Sequence, residues 1–365
     1  MLQFRIESLF SPCGALFLFL VLGAVRPQNA KAWGQEGHMV TAQIAYNHLD
    51  PAVRSKCDSL IAVPLTYSGT GSSNFVTAAC WADDFKSQLG TGGWHYIDLP
   101  FSLDGTSTNG FTYPLQSNVV YAINLCVTNL LNPATSQSNQ AVYLRYLLHF
   151  VGDIQQPLHS SDAISAVNPN GDAGGNGFSI TGTWNNLHSL WDAGGGYLTD
   201  SVSRPLSAVS QTIISNKVAV IEADYPYTPN PGSIPNPMDW AQEGWGLAQT
   251  IAYVGITRNS TPSATYTSSA QATTEQRMAA GGHRLADLLN TLFGTNAVRL
   301  VASPDPQGNL FLSWSTIPGH AYRVQWKSQL TDSVWTDLTT LTASSNSLSI
   351  TDPFTPTQRF YRVTQ

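Results

Sequence analysis

From residue 33 to about residue 293, apolar side chains recur every three or four positions, the period of helices that bury one face. The pattern predicts helices over 39–49, 51–62, 75–89, 119–131, 141–154, 205–223, 237–254 and 274–293. Asp50 stands where a helix cap belongs, and Pro51 suits the first helical position because its missing N–H would be unpaired there anyway. Stretches rich in Gly, Ser, Asn and Pro separate these segments, notably 168–177 and 226–235, and read as turns or binding loops. After Gly294 the period falls toward two. Runs at 298–303, 310–315, 322–327, 348–351 and 360–364 are β-branched or aromatic and lie between turn signals such as 305–308 and Pro318-Gly319. The expected fold is mainly α, with an all-α body over 33–294 and a small, all-β, sandwich-like accessory module over 295–365. The module holds a lone histidine, His320, and no carboxylate cluster, so the chemistry belongs to the helical body.

Composition narrows the functional classes. With 365 residues, 42% of them hydrophobic, and ten Trp, the chain can bury a large core and is not a disordered polymer. Seventeen basic against 23 acidic residues give a net charge of -6, which argues against holding duplex DNA on a broad basic face. An anionic ligand must find positive charge elsewhere. Residues 1–32 read as a signal peptide: Arg5 supplies the basic start, 14–25 the apolar core, and Ala30-Lys31-Ala32 the cleavage site. Cleavage after Ala32 would make Trp33 the new terminus and carry the protein to periplasm or medium, with no stable membrane association. Cys13 would leave with that segment. Cys57, Cys80 and Cys126 remain, an odd number that allows one bridge, for example Cys57 to Cys80, without fixing the pairing. No C-x-x-C pair is present, which excludes a thiolate zinc-finger site.

Histidine and aspartate carry the remaining signal. His149-Phe-Val-Gly-Asp153 and His188-Ser-Leu-Trp-Asp192 repeat one spacing, which on a helix puts imidazole and carboxylate on the same face, ready to chelate. His149 lies in the apolar run 143–151, where an unsatisfied imidazole would be costly to bury. Pro157 should end the helix after Asp153 and turn His159 toward the same place. Upstream, Trp81-Ala-Asp83-Asp84 and Trp94-His95-Tyr-Ile-Asp98 add donors, with Asp83 preferred to Asp84, and Trp33-Gly-Gln-Glu-Gly-His38 sits at the expected new terminus. A terminal amine and its own carbonyl can chelate a metal near neutral pH. His48 reads as solvated on a polar stretch of the first helix, and His283, beside Arg284, as structural.

In that order W-G-x-x-G-H, W-A-D, W-H-Y-I-D, H-F-x-G-D-I-x-Q-P-L-H, G-G-N and N-L-H-x-x-W-D resemble the zinc-dependent single-strand-specific nucleases and 3′-nucleotidases of fungi, plants and bacteria. These share a superfamily with bacterial zinc phospholipases C. The resemblance spans roughly 33–293, includes 281–290 in the last helix, and stops short of the β module. It implies three Zn2+: Asp83, His95, His149 and Asp153 around the first, the Trp33 amine and carbonyl with His38 and the shared Asp153 around the second, and His159, His188 and Asp192 around the third. The metal charge would then outweigh the carboxylates and make an anion site inside an acidic protein. The implied activity is hydrolysis of single-stranded DNA, RNA and 3′-nucleotides to 5′-nucleotides, with no obligate protein partner. Asp98 would orient water or nucleoside, and Asn176 would touch phosphate or base. Lys86 stands where such enzymes often carry Arg, keeping the charge and losing the two-pronged fork. Gln155 replaces a usual His and is expected to retune the ligands from behind. Tyr96, Phe178 and Trp184 are the aromatic candidates for stacking a base, each expected more readily in core or rim. Two rival readings are a zinc phospholipase C, which usually has Glu at the position of Asp192, and a non-catalytic exported binding protein.

Overall fold

The computed structural model describes residues 33–67, 69, 71–132, 134–230, 236–294, 300–304, 309–316, 319, 321–329, 332–344, 347–353 and 359–364. The segment read as an export signal, the turn at 305–308, Pro318 and His320 lie outside them. The helical part runs α1 (Gln35–Asn47), α2 (Pro51–Ile61), α3 (Phe75–Ala78), α4 (Trp81–Leu89), α5 (Val119–Leu131), α6 (Gln137–Asp153), α7 (Leu187–Asp192), α8 (Ala208–Asp224), α9 (Pro237–Leu247) and α10 (Ala264–Phe293). Two short strands, β1 (Pro100–Ser102) and β2 (Asp162–Ile164), pair in parallel, Pro100 opposite Asp162.

Helix α10 lies along α1, and Gly282 allows it: a Cβ there would come within 2.5 Å of the Ile44 Cβ and 3.0 Å of the Thr41 carbonyl. The main core joins α2, α5, α6 and α10 through Leu60, Ile123, Leu144, Leu147, Leu148, Phe150 and Leu289, all buried. Each such side chain, removed from water, contributes about 1.5–3 kcal/mol. A second apolar cluster, with Phe178, Leu190, Trp191 and Tyr266, lies under the glycine-rich loop.

Several expected elements change at positions where the chemistry intervenes. The single helix expected over 75–89 is two, separated at Ala79 and Cys80. Asn74 caps α3, accepting from the Thr77 N–H. The break releases the Ala79 carbonyl, which an unbroken helix would use, to bond His149 at 2.6 Å. The helix expected over 237–254 gives way after Leu247 to a wider turn over Ala248–Ala252. α8 starts at Ala208, three residues later than expected, because Ser207 caps it, and α10 starts ten residues earlier because Ser263 caps a Ser/Thr-rich first turn with little apolar period. Asp50 occupies the cap position of α2 but makes no side-chain cap bond.

Beyond 300 the strands are β3 (Leu300–Pro304), β4 (Leu310–Ser315), β5 (Ala321–Lys327), β6 (Thr336–Thr342), β7 (Ser347–Asp352) and β8 (Phe360–Thr364). They form two antiparallel sheets, ordered β3-β4-β7 and β6-β5-β8, with Leu312, Trp314, Tyr322 and Val324 buried in one cluster. Strand β6 escaped expectation because its Thr-rich face lacks apolar alternation.

The bridge that the sequence allowed is not formed: Cys57, Cys80 and Cys126 are free and buried. Burial pushes the thiols of Cys57 and Cys80 up to about 12, and Cys126 upward as well. Among the described residues no helix is long and apolar enough to cross a membrane.

Candidate metal centre and active-site cavity

The last turn of α6 brings His149 and Asp153 onto one face, and both are completely buried. Asp153 Oδ2 stands 2.9 Å from His95 Nδ1 and 3.1 Å from His149 Nε2, while its Oδ1 stands 3.4 Å from His38 Nε2 on α1. His95 Nδ1 and His149 Nε2 are 3.0 Å apart. Asp83 Oδ1, from α4, lies 3.6 Å from His95 Nδ1 and 3.8 Å from His149 Nε2. On the other side, Asp192 at the end of α7 puts Oδ2 3.4 Å from His188 Nε2 and Oδ1 3.6 Å from His159 Nε2.

These donors fit zinc on three counts. Ligands on tetrahedral bonds of about 2.0–2.1 Å stand roughly 3.3 Å apart, close to the spacings found. His38 Nε2, His159 Nε2, His188 Nε2 and Asp153 Oδ1 face the cluster buried and without a hydrogen-bond partner, a cost that coordination would remove. Finally, three rings are backed by carbonyls, which can only accept: His149 Nδ1 donates to Ala79 at 2.6 Å, His159 Nδ1 to His95 at 2.9 Å and His188 Nδ1 to Gly174 at 2.7 Å. Each Nε2 is thereby left as a lone pair facing the carboxylates.

At His149 and His159 burial is outweighed by the facing carboxylates, chiefly Asp153 and Asp192, so both rings hold a proton more readily than usual. Burial would raise the carboxyl of Asp153, but the adjacent His149 and His95 outweigh it and hold it well below the usual range. At Asp83 burial is likewise outweighed, by His149, His95 and Lys86, and the carboxyl falls to about 2. Burial and then His149 lower His38 to about 3, so its ring is neutral and able to donate electrons near neutral pH.

Over the cluster opens a cavity of about 420 Å³ lined by Lys86, His95, Tyr96, Asp98, Leu158, His159, Asn176 and His188. A second hollow of about 330 Å³ reaches His38 and Asp83 past Gly34 and Gln35. Burial first, and then the nearby Asp162, push the Asp98 carboxyl up to about 7. Lys86 Nζ lies 2.9 Å from Asp83 Oδ1. Asn176 donates its amide to the Ala173 carbonyl at 2.8 Å, inside the glycine-rich loop. Tyr96 is half-buried on the cavity wall, whereas Phe178 and Trp184 belong to the apolar cluster beneath that loop.

Asp84 turns away and pairs with Arg204 at 2.6 Å. Trp33 is fully buried, its indole donating to the Gly152 carbonyl at 3.0 Å, and the next residue, Gly34, donates to the Asp192 carbonyl at 3.2 Å. The start of the described chain thus runs between the helices that carry the two central aspartates. Gln155 requires a correction: its side-chain amide oxygen accepts from Arg277 and Arg284 on α10 and from none of the candidate ligands, so it is tied to an arginine pair that Glu243 also holds. Gln155 lies two positions past the end of α6, and its side chain meets α10. Two supports escaped the sequence reading. Gln156 Nε2 donates to Asp192 Oδ1 at 2.8 Å. Asp172 accepts from the Gly175 N–H at 2.9 Å and from the Tyr253 hydroxyl at 2.7 Å, fixing the loop behind His188. The Gln before Pro157 was the visible signal for the former, and nothing local marks Tyr253.

A mainly helical fold with convergent imidazoles and carboxylates under a cavity could hold metal ions, and comparison supplies the family and its class, a hydrolase. Residues 33–294 match the model described as S1/P1 Nuclease. The chain belongs to the S1/P1 nuclease family, metalloenzymes that hydrolyse nucleic acid. It is 28% identical over 293 residues to Nuclease P1 of Penicillium citrinum, across 73% of this chain and 100% of that protein. To Endonuclease 4 of Arabidopsis thaliana it is 30% identical over 296 residues, 73% of this chain and 91% of the relative. A shorter match, 28% over 192 residues, joins 47% of the chain to 58% of Nuclease S1 of Aspergillus oryzae.

Proposed function

We propose that the chain is an exported zinc nuclease and 3′-nucleotidase that cleaves single-stranded DNA and RNA and 3′-nucleotides to 5′-nucleotides. The observation that carries this reading is Asp153, a completely buried carboxylate with one oxygen toward His38 and the other toward His95 and His149. Such a group is suited to bridging two cations. Asp83, His95, His149 and Asp153 would hold one Zn2+; His38 and Asp153, with the amine and carbonyl of Trp33 after cleavage at Ala32, a second; His159, His188 and Asp192 a third. Zinc at these positions would supply Lewis-acid activation of water and neutralisation of phosphate charge.

The protein's own groups shape the rest. The carbonyls of Ala79, His95 and Gly174 hold the rings of His149, His159 and His188 in fixed orientation. Lys86 adds a positive charge at the cavity rim, beside Asp83. Asp98, with its raised proton affinity, can donate to or accept from a nucleoside across pH 7, and Asn176 offers an amide from the opposite loop. The half-buried Tyr96 is the aromatic placed to stack a base. A concave pocket without a surrounding basic face favours a splayed strand over a duplex. Residues 295–365 serve as an accessory unit.

The test is zinc analysis of protein beginning at Trp33, together with hydrolysis of denatured DNA, 3′-AMP and a phosphatidylcholine analogue. At least three zincs per chain and turnover of the first two substrates are expected. Fewer than two zincs with no turnover, or preference for the lipid, overturns the reading. A variant retaining one extra residue before Trp33 should lose one zinc and most activity.

A further inference from the structure

Apart from the active-site donors, three other groups of the helical body meet. His48 follows the last residue of α1, Glu222 lies in the last turn of α8, and His283 sits within α10. One ligand atom from each falls within 4.8 Å of the other two. His48 Nε2 contacts Glu222 Oε1, and the His48 and His283 rings stand edge to face with centroids 5.7 Å apart. His48 was expected to be solvated. It is instead three-quarters covered, because Glu222 meets its edge and the Tyr227 ring stacks on its face at 4.1 Å. Tyr227 is itself pinned by a 2.6 Å hydrogen bond to Asp287 and lies 5.1 Å from the His283 ring.

The second observation is an unpaired atom. His283 Nε2 is buried and has no hydrogen-bond partner, although a histidine and a glutamate that could serve it are adjacent. Burial, and then the neighbouring His48, lower the proton affinity of His283, which favours a neutral ring with a free lone pair. Two imidazoles and one carboxylate are the donor set of three-ligand zinc sites, with water as the fourth ligand. Calcium and magnesium are poorly served, since both require oxygen ligands.

We propose that His48, Glu222 and His283 form a further divalent-cation site of the zinc type, sharing no residue with the catalytic centre, that fastens the ends of α1 and α8 to α10. The three ligands are distant in sequence, His48 and Glu222 by 174 positions, so a shared ion would act as a cross-link between remote segments. The ion would take three protein ligands and leave its fourth position to water, and none of the three is among the catalytic donors.

The experiment uses the full processed protein, equilibrated with micromolar Zn2+ and desalted, as wild type, Glu222→Gln and His283→Gln. Each variant should hold about one zinc fewer than wild type and unfold several degrees lower, with turnover of denatured DNA unchanged within about twofold. In crystals of the wild type, anomalous scattering at the zinc edge should give a peak bounded by His48, Glu222 and His283. Equal zinc content in all three proteins overturns the proposal, as does a wild-type map with no peak there. Loss of more than one zinc together with activity overturns the separation from the catalytic centre. The wild-type map decides the matter even if neither variant folds.

Discussion

One spacing is built in two ways in this protein. His149 and Asp153 end a 17-residue helix whose flanking Leu144, Leu147, Leu148, Phe150 and Val151 are completely buried, so core packing sets the direction of the helix and the Ala79 carbonyl only the turn of one ring. His188 and Asp192 stand on a six-residue helix that could not form by itself, and its placement comes from outside. Asn186 caps it, the Gly174 carbonyl holds His188, and Gln156 holds Asp192. The supporting loop needs left-handed backbone at Gly171, Ala173, Gly174 and Gly175. Asp153 is wholly buried and faces imidazoles on both sides, whereas the Asp192 side chain keeps 14% of its exposure. A ligand fixed by packing can be shared between ions, while a ligand fixed by a loop can face a cavity where substrate enters and leaves.

The largest effect should come from the shared carboxylate. Asp153→Asn is expected to lower turnover of denatured DNA at least about 1,000-fold and to reduce the zinc count by two, beyond the ~10–100-fold typical of losing a supporting partner. Asp192→Asn should remove one zinc and cost less. Equal losses, measured by single-turnover kinetics and metal analysis side by side, would erase the asymmetry. Next is Gly174→Ala: the added Cβ would lie 2.2 Å from the Leu158 carbonyl at a φ of +59°. Chemical denaturation should show a loss of roughly 2–3 kcal/mol, with zinc lost from the His188 side and not the Asp153 side. Gln156→Ala, which frees Asp192 and also removes the acceptor of the Leu158 N–H, should weaken that zinc by about 10–100-fold in a competition titration and cost about 1 kcal/mol of stability.

The smallest effect concerns protons. Asp98 takes up its proton more readily in the folded chain, near pH 7, than in the unfolded chain, near 3.8. The native state therefore binds more protons over that interval, and metal-free protein should lose stability as pH rises from about 4 to 7. Asp98→Asn should remove that component and stabilise the metal-free protein at pH 7 by about 1 kcal/mol, a figure discounted for partial solvent access. An unchanged pH slope in urea melts would count against a raised Asp98.

Much of the helical scaffold was legible because strong apolar periods encode it. Residues 119–131 were read to the residue, as were 310–315 and 360–364 among the strands. The candidate donors could be read because imidazole and carboxylate four apart on a helix must share a face. What failed to show has a common physical origin, since partners distant in sequence decide it. The split at Ala79 makes sense only once His149 takes that carbonyl, and the turn of Gln155 toward Arg277 only once α10 is in place. The grouping of His48, Glu222 and His283 depends on three helices meeting, for which no local pattern exists.

The three sequestered thiols give the molecule a built-in gauge of its own opening. Cys57, Cys80 and Cys126 are nearly or wholly inaccessible in the native fold and belong to two different apolar clusters. A colourless alkylating or chromogenic reagent can reach them only when the surrounding helices part, so labelling rate tracks excursions of the folded ensemble. Mass spectrometry of the tagged peptides would then show which part of the helical scaffold breathes first, with no engineered probe.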